Sequence, residues 1–345
     1  MTCGSAGARN DAGVIHDNLE FHNVAELVSA PDRPGLRLQR VPESLRPALN
    51  ETARGVVLGP TSSEIRFVAT GPASITLHSP LHHEYVLIHQ GEWVVREELI
   101  EPGQTRTIEL APNPEVAFMT GARRSFAPEV WRLKFSGTAG IHYLGHTGTV
   151  RPPTADEKPR HTWLAHGSSI TQGFAAGRLA NPWVVHAARA LAVDVLNLGF
   201  GGSCFLEPEM ADYIAGRNDW HLATLELGIN LLSHAISDEE FARRACYFIG
   251  RVAGSQPRRP VAIITVFPLS WESAPPPEKR HPEVFRRILR SVVIDLDLPN
   301  LRLYEGPELL TDITGLTADG CHPSDYGHID IGDAIAQRLR LILPV

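Results

Sequence analysis

The chain predicts an α/β protein in two parts. An antiparallel β-sandwich occupies residues 1–152, and a domain on a five-stranded, mainly parallel sheet occupies 153–345. Three observations predict this. At 345 residues the chain is longer than one average domain. Between about 62 and 150 its apolar residues alternate with polar ones, the period of half-buried strands. After residue 160 short apolar runs alternate with segments of 3.6-residue period, the signature of strands joined by helices in a parallel sheet.

Taken in order, the segment from LEFHNVAELV to RVPESLRPALNETARG is mixed, with one short helix expected near Pro42 and Ser44. Glu64-Ile65-Arg66-Phe67 and Trp131-Arg132-Leu133-Lys134-Phe135 show the alternation of the first part most clearly, and Gln90-Gly91 and Glu101-Pro102-Gly103 supply turns between its strands. RPPTADEKPR, residues 151–160, is proline-bearing and charged, as a linker would be. The second part pairs TWLAH with PWVVHAARALA, VDVLNLG with LEPEMADYIA, and LATLELG with a long helix in SDEEFARRACYFIGRVAG. In that helix Phe241, Ala245, Phe248, Ile249 and Val252 form one stripe, and Ser237 with Glu240 resembles a capping box. VAIITVF, a helix carrying Phe285, Ile288, Leu289 and Val292, the strand LRLY and a final helix over 328–342 complete the order.

Composition narrows the function. A net charge of −7 without a basic cluster gives no footprint for nucleic acid, and no apolar run approaches the ~20 residues of a membrane span, so small-molecule partners are expected. The first residues lack the apolar stretch of a secretory signal, which makes the cytoplasm the expected location. Cys3, Cys204, Cys246 and Cys321 show no paired spacing, so neither disulfides nor a zinc ribbon is expected. Sixteen histidines raise the question of a metal, but His82-His83, His142 with His146, and His161 with His166 lie outside predicted helices and lack a completing carboxylate. Neither a metal nor a resident cofactor is expected, and oligomeric state is not legible.

In an open α/β sheet, the loops leaving the carboxyl ends of the strands line the ligand crevice. After the first strand comes Gly167-Ser168-Ser169-Ile170-Thr171-Gln172-Gly173; after the second, Asn197-Leu198-Gly199-Phe200-Gly201-Gly202-Ser203; after the third, Gly228-Ile229-Asn230; after the fifth, Asp319-Gly320-Cys321-His322-Pro323. A serine, a histidine three residues after an aspartate, and two candidate oxyanion donors are the parts acyl transfer requires. Cys321 adjoins the histidine, but nothing in the sequence activates it as a nucleophile.

These blocks resemble, in order and spacing, those of the SGNH (GDSL-like) hydrolase superfamily. The resemblance implies a flavodoxin-like three-layer domain and assigns roles residue by residue. Ser169 would be the nucleophile, His322 the general base and Asp319 the group that fixes its tautomer. The amides of Ser169 and Gly202 and the side chain of Asn230 would form the oxyanion hole, with Gly201 the one-residue alternative to Gly202. Two positions depart from the family pattern. Ser168 stands where the family has aspartate, which should weaken the hydrogen bonding of the turn, and Leu231 replaces the aspartate after Asn230.

The loop Phe267-Pro268-Leu269-Ser270-Trp271-Glu272-Ser273-Ala274-Pro275-Pro276-Pro277 should overhang the crevice and place Trp271 over a substrate, with Trp183 and Phe174 as further candidate lining. FHNVAEL, LQRVPESLRPALN and SEIRFVA look like the amino-terminal sandwich of a bacterial subgroup of the superfamily, one member of which attaches a salicylyl group to a tetracycline polyketide. That sandwich, of jelly-roll type, is similar to carbohydrate-binding modules, and carbohydrate esterases also place a β-domain before an SGNH domain. The resemblance therefore implies an O-acyltransferase using a coenzyme A thioester and a polyketide or glycosylated hydroxyl. Its alternative is an esterase or carbohydrate deacetylase, and a third is a catalytically weakened glycan-binding protein.

Overall fold

The computed structural model describes residues 9–10, 13–31, 33–117, 125–135, 137, 140–177, 181–274 and 280–344. It divides into two compact units, one of residues 1–44, 55–160 and 192–196, the other of 45–54, 161–191 and 197–345. Contacts rather than chain order decide this membership. The segment 45–54, for example, joins the second unit through Asn50, whose side-chain amide donates to the Ser203 carbonyl and the Glu207 carboxylate.

The first unit contains two antiparallel sheets. One has eight strands, with Glu64–Ala69 beside Val130–Phe135, then Glu84–Gln90 and Trp93–Ile100; the other has five, running Gln104–Leu110, Ala73–Ser79, His142–Thr147, Leu36–Gln39 and Glu26–Ser29. Alternation puts Phe21, Ile65, Phe67, Val86, Ile88, Leu133 and Phe135 of the first sheet in one buried cluster with Leu38, Ile75, Leu77, Ile108 and Leu110 of the second, the interior of a sandwich. The expected helix near Pro42 appears as a 3₁₀ turn, Arg46–Ala48, followed by the helix Glu51–Val56.

The second sheet system has five strands: β1 (Thr162–Gly167), β2 (Asp194–Gly199), β3 (Leu222–Glu226), β4 (Val261–Ile264) and β5 (Leu301–Tyr304), in the order β2-β1-β3-β4-β5. The β1–β3, β3–β4 and β4–β5 pairings are parallel. The helices of this part are α1 (Ser169–Gln172), α2 (Trp183–Leu191), α3 (Pro208–Ala215), α4 (Asp238–Ser255), α5 (Pro282–Leu296), the single turn α6 (Gly306–Leu309) and α7 (Asp325–Arg340). The strands are apolar on both faces because helices cover both sides of such a sheet; every residue of β1, β3 and β4 is buried.

In α4 the predicted stripe of Phe241, Ala245, Phe248, Ile249 and Val252 is buried. Its amino end forms half of a capping box. The Ser237 hydroxyl accepts from the Glu240 amide, but the Glu240 carboxylate turns outward to Arg243 and Arg244. The order β2-β1-β3 reverses the direction in which strands are added beside β1, so the loops after β1, β2 and β3 gather on one rim of the sheet.

Candidate active site

The turn after β1 begins at Ser168, whose extended backbone and hydroxyl cap α1 by accepting from the Ile170 amide at 3.1 Å. Ser169 follows as the first residue of α1. Its hydroxyl lies 2.9 Å from His322 Nε2, and His322 Nδ1 lies 2.7 Å from Asp319 Oδ2. A carboxylate can only accept, so Nδ1 carries the imidazole proton and Nε2 is free to accept the Ser169 proton.

The loop holding His322 is set by the other oxygen of the same carboxylate, which accepts from the amides of Cys321 and His322 at 2.8 and 2.9 Å. Thr317 and His322 close the loop backbone to backbone, and the Ser270 amide, in the segment after β4, donates to Gly320 at 2.9 Å. Desolvation raises the Asp319 carboxyl, but the amides of His322 and Cys321, the imidazole and the Thr317 hydroxyl outweigh it and hold the group well below the ordinary carboxylate range. Its ionised form is thereby favoured.

Three donors in the loops after β1, β2 and β3 make no hydrogen bond among the described residues: the amides of Ser169 and Gly202 and Asn230 Nδ2. Asn230 is oriented by its other atom, because Oδ1 accepts from the Cys204 amide at 3.0 Å and so turns Nδ2 away from that loop. Gly201, the one-residue alternative, is different. Its amide donates to Gln172 Oε1 at 2.8 Å and is already engaged. Gly202 has φ +65°, a conformation that favours glycine, and open space where a side chain would stand, so its amide stays approachable. Leu231 is buried, and no carboxylate occupies its place.

The departure at Ser168 does not leave the turn short of hydrogen bonds. Glu226, the last residue of β3, places Oε2 2.7 Å from both the Ser168 amide and the Ser168 hydroxyl and 3.2 Å from the Thr171 hydroxyl. The carboxylate absent from the turn arrives instead from the neighbouring strand. Burial pushes the Glu226 carboxyl up to about 7 even though the Ser168 and Thr171 donors pull it down. A raised carboxyl favours the folded state most below its unfolded value near 4.5, and that contribution is lost as pH rises through about 7. Wild type should therefore lose up to about 3 kcal/mol of unfolding free energy, relative to Glu226→Gln, between pH 4.5 and 8. Urea titrations of both proteins across that range measure it, and parallel pH dependences would contradict the expectation.

The three candidate lining residues take different places. Phe174 is 54% exposed, with its ring 4.6 Å from that of His322, so it borders the site. Its carbonyl lies 3.0 Å from Nε2 of the buried His328, which anchors the loop to α7. Trp271 is half-buried in the turn after β4; Pro275, Pro276 and Pro277 of that loop lie outside the described residues. Trp183 does not line the crevice. It is fully buried against Trp163 and its indole N–H donates to the Ile170 carbonyl at 2.9 Å, so it braces α1 from behind.

Sequence reasoning missed Glu226, Gln172 and His328. Only Glu226 carried a signal, a lone charge inside the apolar run LATLELG. Among the described residues no group of three His, Cys, Asp or Glu side chains is arranged to hold a metal, and no helix is long and apolar enough to cross a membrane.

A serine hydroxyl on a strand-to-helix turn, a histidine from the loop before the last helix, and the sheet order seen here define the class by fold: an SGNH-type α/β domain preceded by a β-sandwich. Residues 165–328 match the model of the GDSL-like Lipase/Acylhydrolase family. No curated protein matches the sequence. Among solved structures, the chain is similar to the salicylyl-acyltransferase SsfX3 from a tetracycline biosynthetic pathway, at 14% identity and a TM-score of 0.74 over 94% of each chain. It is also similar to a GDSL-like lipase from Bacteroides ovatus (16%, 0.65, 95% of this chain and 99% of that one). A family two carbohydrate esterase from Cellvibrio japonicus is a third (14%, 0.63, 95% and 96%). At these identities the likeness is one of fold.

Proposed function

We propose that the protein transfers acyl groups through an ester on Ser169, as an O-acyltransferase that takes an acyl or aryl-acyl group from a coenzyme A thioester to a hydroxyl of a polyketide or glycosylated natural product. The observation that carries the reading is the hydrogen-bonded chain Ser169–His322–Asp319, on a rim whose loops also hold three donors without partners among the described residues. His322 takes the Ser169 proton as the oxygen attacks the thioester carbonyl. The negative charge that develops on the carbonyl oxygen is met by the amides of Ser169 and Gly202 and by Asn230 Nδ2. The protonated imidazole returns its proton to the leaving thiolate, and the cycle repeats with the acceptor hydroxyl in place of serine. Ser168 and Leu231 remove none of these groups, which speaks against a weakened, purely glycan-binding domain.

The choice of acceptor is supported by likeness across both domains to an acyltransferase of an antibiotic pathway. A second reading, hydrolysis of small O-acyl esters, is favoured by solvent at the base: the His322 and Asp319 side chains are 22% and 44% exposed, so water can reach the acyl-enzyme. Incubation with an acyl-CoA and a panel of polycyclic and glycosylated alcohols, with ester and free acid quantified together, separates the two. Ester in excess of acid with at least one acceptor is the expected result; free acid alone across the panel would transfer the assignment to an esterase.

A further inference from the structure

Glu226 is a charged residue that folding alone does not call for. Its neighbours in the chain, Leu225 and Leu227, are fully buried, and so is its own side chain. Among the described residues its Oε1 has no hydrogen-bond partner, an arrangement that costs stability. All of the hydrogen bonds to Oε2 come from Ser168 and Thr171, the residues one before and two after Ser169. The turn is shaped around that oxygen, since a Cβ on Gly167 would stand 2.6 Å from Glu226 Oε2 and 2.4 Å from Thr171 Oγ1. Its charge also reaches the buried thiol of Cys204, which desolvation, Glu226 and Glu207 push well above the ordinary thiol range. Cys204 also carries the amide that orients Asn230.

We propose that Glu226 is a positioning residue for the acyl-transfer reaction, holding the nucleophile turn from the adjacent strand so that the Ser169 hydroxyl and amide keep their places toward His322 and the developing oxyanion. The inference rests on the acyl-Ser169 reading. Three donors gathered by one oxygen leave the turn no freedom to rotate, and a shift of about 1 Å in such a group can cost about 100-fold in rate.

The test compares wild type, Glu226→Ala and Glu226→Gln for kcat and KM on p-nitrophenyl acetate and for the rate of covalent inactivation by a fluorophosphonate. Glu226→Ala should lose about 100-fold in kcat and in inactivation rate at a KM within about threefold of wild type. Glu226→Gln, whose amide oxygen can accept from the same donors, should stay within about tenfold of wild type. A merely structural carboxylate would lower the melting temperature of Glu226→Ala and leave the kcat of the folded protein unchanged; that result overturns the proposal. Should Glu226→Ala fail to fold, Ser168→Ala and Thr171→Val remove the donors one at a time, with kcat expected to fall about three- to tenfold in each and wild-type turnover in both overturning the proposal. Wild type that takes no fluorophosphonate removes the acyl-Ser169 reading and this inference together. Wild type that is labelled, with Glu226→Ala labelled as fast, removes this inference alone.

Discussion

Ser169→Ala is expected to abolish covalent labelling by a fluorophosphonate and to lower kcat by about 10⁴-fold or more, with little change in substrate binding. The expectation follows from the geometry of one atom. The Ser169 hydroxyl is the group at 2.9 Å from the free lone pair of His322, whereas the Ser168 hydroxyl donates to Glu226 and accepts from the Ile170 amide. Ser168→Ala should therefore still take the label. Because serine and histidine act as one unit, His322→Ala should cost about as much as Ser169→Ala, and the double variant hardly more than either. Active-site labelling followed by mass spectrometry locates the adduct, and a stable adduct on any residue other than Ser169 would falsify the assignment.

Asn230→Ala is expected to lower kcat by about 10²- to 10³-fold, roughly 3 kcal/mol of transition-state stabilisation, while KM changes little. In the proposed mechanism Asn230 donates where negative charge develops, and its side chain is oriented by the Cys204 amide on Oδ1. Asn230→Asp is the sharper comparison. It keeps an acceptor for Cys204 but presents an oxygen where a donor is needed, so its kcat should be no higher than that of Asn230→Ala. Steady-state kinetics on one activated ester measures both. Equal loss in kcat/KM through KM alone would mean that Asn230 binds the ground state and the transition state alike.

The elements of the second half were legible because parallel strands covered on both faces must be short apolar runs, and their helices must carry a stripe such as Phe241 to Val252. The loops carrying Ser169, Gly202 and Asn230 were legible for a related reason: they directly follow those runs, whereas Asp319 and His322 lie beyond α6 and were legible from their own spacing. Gly201 and Gly202 could not be separated in the sequence, since the difference between them is a hydrogen bond from Gln172, a residue of another loop. Trp183 reads equally well as lining or as core, and it is core because α2 packs its indole against Trp163 and the carbonyl of Ile170.

By itself the sequence determined the alternation of elements, the rim on which the chemistry gathers and the residue types available there, because periodicity and turn chemistry are local properties of the chain. Tertiary structure alone decided which amides are engaged and which are open, and which carboxylate serves the nucleophile turn. Glu226 stands 58 positions from Ser168 and meets it only because β3 pairs with β1. No local rule connects two such residues; the register of neighbouring strands does.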